Sequence, residues 1–391
     1  MLKQQPRKHA FCMTSKITAL FAFSGLLLFS SPILAQNHDH EGVHQEESHA
    51  EIHDQAVVEH GHEHTTSHGE DHGGQDIKAI VKETITHHLS DSYEFQITEG
   101  VGFPLPVILL DGGLKVFSSA KLGHGHSVAE VDGSHYVLHH NKIYKTDAGG
   151  AITFDEDHHP TNVKPLDFSI TKNVFMILVM AVFMIVLFSR MAKSYGADKT
   201  PKKSGKFLEP IVIYVRDEIA IPNIGEKHYK KYMSYLLTVF FFIWFLNLVG
   251  MTPLGINVTG NIAITFSLAL MTFIITQVSG KKDYWMHIFW MPGVPVVLKP
   301  VMAIIELIGL FVKPFSLMIR LYANMLAGHV VLMSIIGLIF VFGSWLVSPA
   351  FFGLTLVLSL LELLVAALQA YIFTMLAALY FGSAVEEHDH H

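Results

Sequence analysis

A permanent positive charge, Arg320, stands inside an apolar stretch over residues 300–347, and Glu306, Glu362 and His329 occupy similar surroundings. An arginine at bilayer depth costs at least about 2.5–3.5 kcal/mol to insert, and its guanidinium cannot escape by losing a proton. Charges in such places mark an ion path, pair with a partner or line water. The chemistry these residue types allow is proton movement. Histidine titrates near neutrality, a carboxylate can exchange protons with it, and a fixed arginine charge favours an ionised carboxylate facing it.

The spacing sorts these groups onto two helix faces. Ser316, Arg320, Ala323, Asn324 and Ala327 recur at intervals of three and four, as do Ser359, Glu362, Ala366, Gln369 and Ala370. Two stripes of small and polar residues are therefore predicted to face protein, and each is suited to pack on the other. His329 falls about 13 Å beyond Arg320 on a regular helix. The plainer reading makes Ser316, Ser359, Asn324 and Gln369 interhelical hydrogen-bond glue, and His329 a buried structural histidine. That reading does not account for Arg320, Glu362 and Glu306.

Elements must exist to carry these groups. Apolar blocks long enough to cross a bilayer are predicted at 170–188, 232–251, 261–278, 300–347 and 351–381. The fourth would extend roughly 70 Å as a helix against an apolar core of about 30 Å, so strong tilt or a break is expected. Lysines and arginines between Arg190 and Lys206 place that loop in the cytoplasm. Residues 207–221, with Pro210 near the start and Pro222 at the end, read as an interfacial amphipathic helix. The fold class is thus an all-α integral membrane protein with about five spans, the last two long and tilted.

Ahead of the spans the chain changes character. Residues 1–35 carry a basic start, an apolar run and a small-residue site ending at Ala35, the pattern of a cleavable secretory signal. Residues 36–76 hold much histidine and acid with almost no bulky apolar residue, as a disordered periplasmic tail does. Residues 77–165 show short strand-like runs around Tyr93, Leu114 and Ser134 between Gly and Asp turns, predicting a small periplasmic β-rich element. The membrane domain is expected over 166–382, and a cytoplasmic tail over 383–391.

Composition closes off other classes. The chain has 391 residues, 50% of them hydrophobic, and one cysteine, Cys12, inside the expected signal. Disulfide and thiolate-metal chemistry are therefore excluded for the mature chain. No basic, aromatic-interleaved patch points to nucleic acid, and no glycine-rich phosphate loop points to nucleotide catalysis. The 26 histidines, as in His60-Gly-His-Glu-His64, raise a metal-ion transporter as a rival. Such a transporter would place ligands on several facing spans, where only His329 and Glu362 are available. A purely structural stator or assembly protein is the other rival, and it leaves Arg320 unexplained.

The run Lys313-Pro-Phe-Ser-Leu-Met-Ile-Arg-Leu-Tyr-Ala-Asn-Met-Leu-Ala-Gly-His329, with Leu368-Gln-Ala-Tyr-Ile-Phe373, resembles subunit a of the F-type ATP synthase. The likeness covers about 162–381. It implies a stator conducting protons through two offset half-channels to and from a rotating c-subunit ring, without catalysis or cofactor of its own. It also implies b-type peripheral stalk partners and a bacterial inner membrane, with the N-terminus periplasmic and the C-terminus cytoplasmic. Arg320 would be the essential charge, with Asn324 and Gln369 beside it and Glu306 near the cytoplasmic access path. His329 and Glu362 stand where many bacterial relatives carry acid and histidine in the opposite order, an exchange that mitochondrial relatives share.

Overall fold

The computed structural model describes residues 91–98, 101–156, 159–195, 205–252, 256–291, 294–342 and 348–386. The expected signal, the histidine-rich tail and residues 387–391 lie outside them. Among the described residues, eight short strands come first: β1 (Glu94–Thr98), β2 (Val101–Pro104), β3 (Pro106–Leu110), β4 (Leu114–Ser118), β5 (Ala129–Val131), β6 (Ser134–His139), β7 (Lys142–Thr146) and β8 (Leu166–Asp167). They form three antiparallel sheets, ordered β1-β2, β4-β3-β8 and β5-β6-β7. Alternation explains the burial: Val107, Leu109 and Phe117 point inward onto Tyr136, Leu122 and Ile143. Lys115 also points inward, where its Nζ donates to Ser134 Oγ at 2.8 Å and lies over the Tyr136 ring. Strand β8 carries the sheet past residue 165 and delivers the chain to the first long helix.

The junction is tightly made. Helix α1 (Lys172–Lys193) starts where the Thr171 side chain accepts from Val174 N–H, and Asp91 accepts from Asn173 N–H at 3.3 Å. The backbone N–H of Lys172 donates to Ser92 C=O at 2.8 Å. Phe95, Phe103 and Phe175 meet with centroids 5.1–5.5 Å apart, joining the first hairpin to α1. Burial pushes the Asp91 carboxyl above its ordinary range, against the opposing pull of its hydrogen bonds.

Next come α2 (Gly205–Tyr214), a π-helical turn (Val215–Ala220) and α3 (Ile221–Ile224). The sequence expectation stopped this helix at Pro222, but the helix runs on to Ile224. Pro222 falls in the first turn of α3, where a missing N–H is tolerated, and the widened turn precedes it. The remaining helices are α4 (Tyr229–Gly250), α5 (Ile262–Ser279), α6 (Lys282–Phe289), α7 (Lys299–Phe342) and α8 (Ser348–Val385). Asn261 caps α5 by accepting from Ala263 N–H at 3.0 Å, and Gly280 follows its end.

Five of these helices, α1, α4, α5, α7 and α8, are long and apolar enough to cross a membrane. Helix α7 does not break: it passes through Pro314 as one element of 44 residues, about 66 Å long. Helix α6 was not foreseen, because its eight residues mix Lys282, Asp283 and His287 with aromatics and carry no long apolar run. Helix α4 is the most enclosed, with Leu236, Phe241, Ile243 and Leu246 fully buried among α1, α5 and α8. Helices α7 and α8 pack on each other and leave broad apolar faces outward, including Ile304, Ile308, Phe311, Leu360 and Leu364.

Candidate functional site

The two predicted stripes touch at one pair of amides, and His329, beside the first stripe, reaches Glu362 of the second. Asn324 Nδ2 on α7 donates to Gln369 Oε1 on α8 at 3.0 Å, and His329 Nδ1 lies 3.0 Å from Glu362 Oε1. Antiparallel packing requires this order, since a step forward along α7 is a step backward along α8. Both members of the His329–Glu362 pair are about 5% exposed. His329 Nε2 reaches the carbonyl oxygen of Gly250, the last residue of α4, at 3.1 Å. Glu362 Oε2 and Gln369 Nε2 are buried with no hydrogen-bond partner among the described residues.

Arg320 behaves differently. It is half-buried, and among the described residues its guanidinium has no hydrogen bond or ion pair. Ser316, Ala323 and Ala327 of the same stripe are exposed, so this face of α7 is not covered by α8. Small side chains there let another helix approach closely.

On the other side of Arg320 from His329, a narrow cleft of about 20 Å³ opens between α5, α6, α7 and α8. It has room for about one water. Thr272, Thr276, Gln277, Tyr284, Lys313, Tyr380 and Ser383 supply its polar lining. Lys313 is about 10 Å along α7 from Arg320. Tyr284 and Gln277 exchange a hydrogen bond of 3.3 Å. Burial pushes the Tyr284 phenol above its ordinary range; the Gln277 bond opposes that shift and the nearby Glu306 carboxylate adds to it. Glu306 is thus within electrostatic reach of the cleft without lining it.

Sequence reasoning singled out the charged and amide groups, and missed Gly250, Gly328, Gln277, Tyr284 and Tyr380. Gly328 lies inside the quoted motif and could have been found there. A Cβ on it would stand 2.9 Å from Glu362 Oε1. Gly250 acts through its backbone, for which no residue type is a signal. Among the described residues no cluster of three or more His, Cys, Asp or Glu is placed to hold a metal ion.

Set against known proteins, residues 174–382 match the model of the ATP synthase A chain family. This chain belongs to that family. Three relatives, each named ATP synthase subunit a, illustrate the likeness. The Myxococcus xanthus protein is 43% identical over 58% of this chain and 76% of its own length. The Chloroherpeton thalassium protein is 36% identical over 75% and 91%, and that of Pelodictyon phaeoclathratiforme 38% over 76% and 89%. As a subunit a family member the chain is a multi-pass, non-catalytic membrane subunit serving ATP synthesis and proton transport. The β-rich segment lies within residues 84–168, which match a family described only as a domain of unknown function.

Proposed function

We propose that this chain is the stator through which protons reach and leave a rotating c-subunit ring, with Arg320 between two offset half-channels. The observation that carries this reading is the position of Arg320: half-buried, without a partner among the described residues, on a helix face lined by Ser316, Ala323 and Ala327. A charge left in that state on an apolar helix calls for a carboxylate from outside the chain. The ring supplies one. Its carboxylate crosses lipid neutral and is held ionised opposite Arg320.

The entry path runs by Glu362, with His329 hydrogen-bonded beside it, and the exit path runs through the cleft at Lys313, Tyr284 and Tyr380 near Glu306. Asn324 and Gln369 hold α7 against α8 between the two. Lysine would be a poor replacement for Arg320, because burial can discharge it and it lacks the planar fork.

The β-rich segment and the N-terminus lie on the periplasmic side of a bacterial inner membrane, the C-terminus in the cytoplasm, and the α2–α3 stretch at the cytoplasmic interface. Its exposed Arg216–Asp217 pair and its buried Val215 and Ile219 suit that place. The b-type stalk subunits complete the stator. The test is ATP-driven acidification of inverted vesicles bearing wild type or Arg320→Ala, with assembly checked by pull-down of the ring and catalytic head. Loss of pumping in an assembled complex is expected; retained pumping refutes the reading.

A further inference from the structure

His329 is held at both ring nitrogens. Nε2 faces the Gly250 carbonyl at 3.1 Å, and a carbonyl oxygen only accepts, so Nε2 carries a hydrogen. Nδ1 faces Glu362 Oε1 at 3.0 Å. If Nδ1 were bare and Glu362 ionised, two lone pairs would oppose each other at that distance. One proton must therefore lie on the Nδ1–Oε1 line, giving either imidazolium with carboxylate or imidazole with carboxylic acid. Gly250 ends α4, and the carbonyl end of a helix favours positive charge, which selects the first form. Glu362 then presents Oε2, buried and engaged by no described protein group, as the acceptor that remains.

We infer that Glu362 alone carries the transported proton, through Oε2, and that His329 is a positioning residue locked by the Gly250 carbonyl. This rests on the proton-path reading above. A relay through an imidazole takes a proton on one nitrogen and releases one from the other. Here Nε2 already holds a hydrogen directed at an oxygen that cannot take it, so arrival at Nε2 requires breaking that bond in a buried site. Passage through Glu362 requires no such break. A proton from a hydronium ion forms an O–H bond at Oε2 and leaves water. That bond then breaks as the proton passes to a carboxylate of the ring, and Glu362 returns to its ionised form. The imidazolium keeps both hydrogens throughout.

The test compares passive proton conduction through assembled membrane sectors, freed of the catalytic head, in vesicles. Asparagine at position 329 can donate to Glu362 but cannot carry a proton, whereas leucine can do neither. Glu362→Gln is expected to lower conduction about 100-fold, the size of a lost proton-transfer group. His329→Asn is expected to stay within about five-fold of wild type, the size of one altered hydrogen bond, with His329→Leu well below it. Conduction in His329→Asn as low as in Glu362→Gln, at equal assembly, overturns the inference. Should His329→Asn fail to assemble, nitrogen NMR of histidine-labelled wild type decides. Hydrogens on both ring nitrogens are expected, and a bare Nε2 overturns it. Arg320→Ala run alongside separates the two levels: if it conducts and pumps normally, the proton-path reading itself falls, whatever the His329 variants do.

Discussion

Gly328 lies so close to Glu362 that a Cβ on it would stand 2.9 Å from Oε1 and 3.3 Å from Cδ. The absence of a side chain on α7 is therefore what admits the carboxylate of α8 to hydrogen-bonding distance of His329. Gly328→Ala should displace Glu362 rather than unfold the helix, since alanine is the better helix former. Misplacing a reacting group by about 1 Å can lower a rate up to about 100-fold. ATP-driven acidification is expected to fall several-fold at normal assembly. Gly250→Ala keeps its carbonyl, meets the Ile256 backbone oxygen at 3.3 Å and the His329 ring only at 3.7–3.9 Å, and touches no carboxylate, so it should pump closer to wild type than Gly328→Ala. Equal impairment by the two substitutions would contradict this geometry.

A second glycine serves the fold instead of the site. A Cβ on Gly382 would fall 1.9 Å from the Asn223 carbonyl oxygen, where the end of α8 docks on α3. Backbone on both sides leaves nothing to yield, so Gly382→Ala should sharply lower the amount of subunit recovered in membranes. Gly353, on the exposed part of α8, has nothing within 4 Å of such a Cβ. Gly353→Ala should leave that amount unchanged on quantitative immunoblots, and a loss matching Gly382→Ala would show that docking at Asn223 is not the cause.

Much of this was legible in the chain itself. Spans declare themselves by apolar length, and the three- and four-residue spacing put Asn324 and Gln369 on facing surfaces, while Ser316, Ala323 and Ala327 of the same stripe stay exposed. The strand runs at Tyr93, Leu114 and Ser134 gave β1, β4 and β6 because alternation and glycine turns are local signals. What stayed hidden depends on backbone and on tertiary contact. The Gly250 carbonyl has no residue-type signature, and the cleft beside Tyr380 draws Gln277, Tyr284 and Lys313 from separate helices. The helix through Pro222 was missed because a proline usually marks a boundary, and the π-helical turn that precedes it is not encoded in any spacing.

The β-rich segment carries a pH-dependent contact. The Asp111 carboxyl is held below its ordinary range by the hydrogen bond from Lys145, then by that from the Tyr136 hydroxyl. A carboxyl whose folded pKa is depressed stabilises the fold fully above its unfolded value, and that contribution is lost as pH falls through the folded value. The Lys145 side chain is 41% exposed, so the effect is partly screened by solvent and salt. Asp111→Asn should therefore speed hydrogen exchange in β6 of the intact complex at neutral pH. The difference from wild type should shrink below the ordinary carboxylate range. A difference that grows on acidification would have the wrong sign for this pair.

Asn324 and Gln369 pose a sharper energetic test, because Gln369 is already short of a partner. Among the described residues its Nε2 is buried without one, and its Oε1 depends on Asn324. An interhelical hydrogen bond in a membrane protein is worth only about 0.6 kcal/mol on average. Removing one partner, however, leaves the other buried and unsatisfied, at a cost of about 1–3 kcal/mol. Asn324→Leu alone should therefore destabilise the detergent-solubilised subunit more than the double substitution Asn324→Leu with Gln369→Leu, which removes the buried Gln369 amide together with its exposed partner. Thermal unfolding of the two variants in one detergent decides the order. If the double variant is the less stable, Gln369 Nε2 has a partner that the described residues do not supply, and the face toward Arg320 is where that partner should be sought.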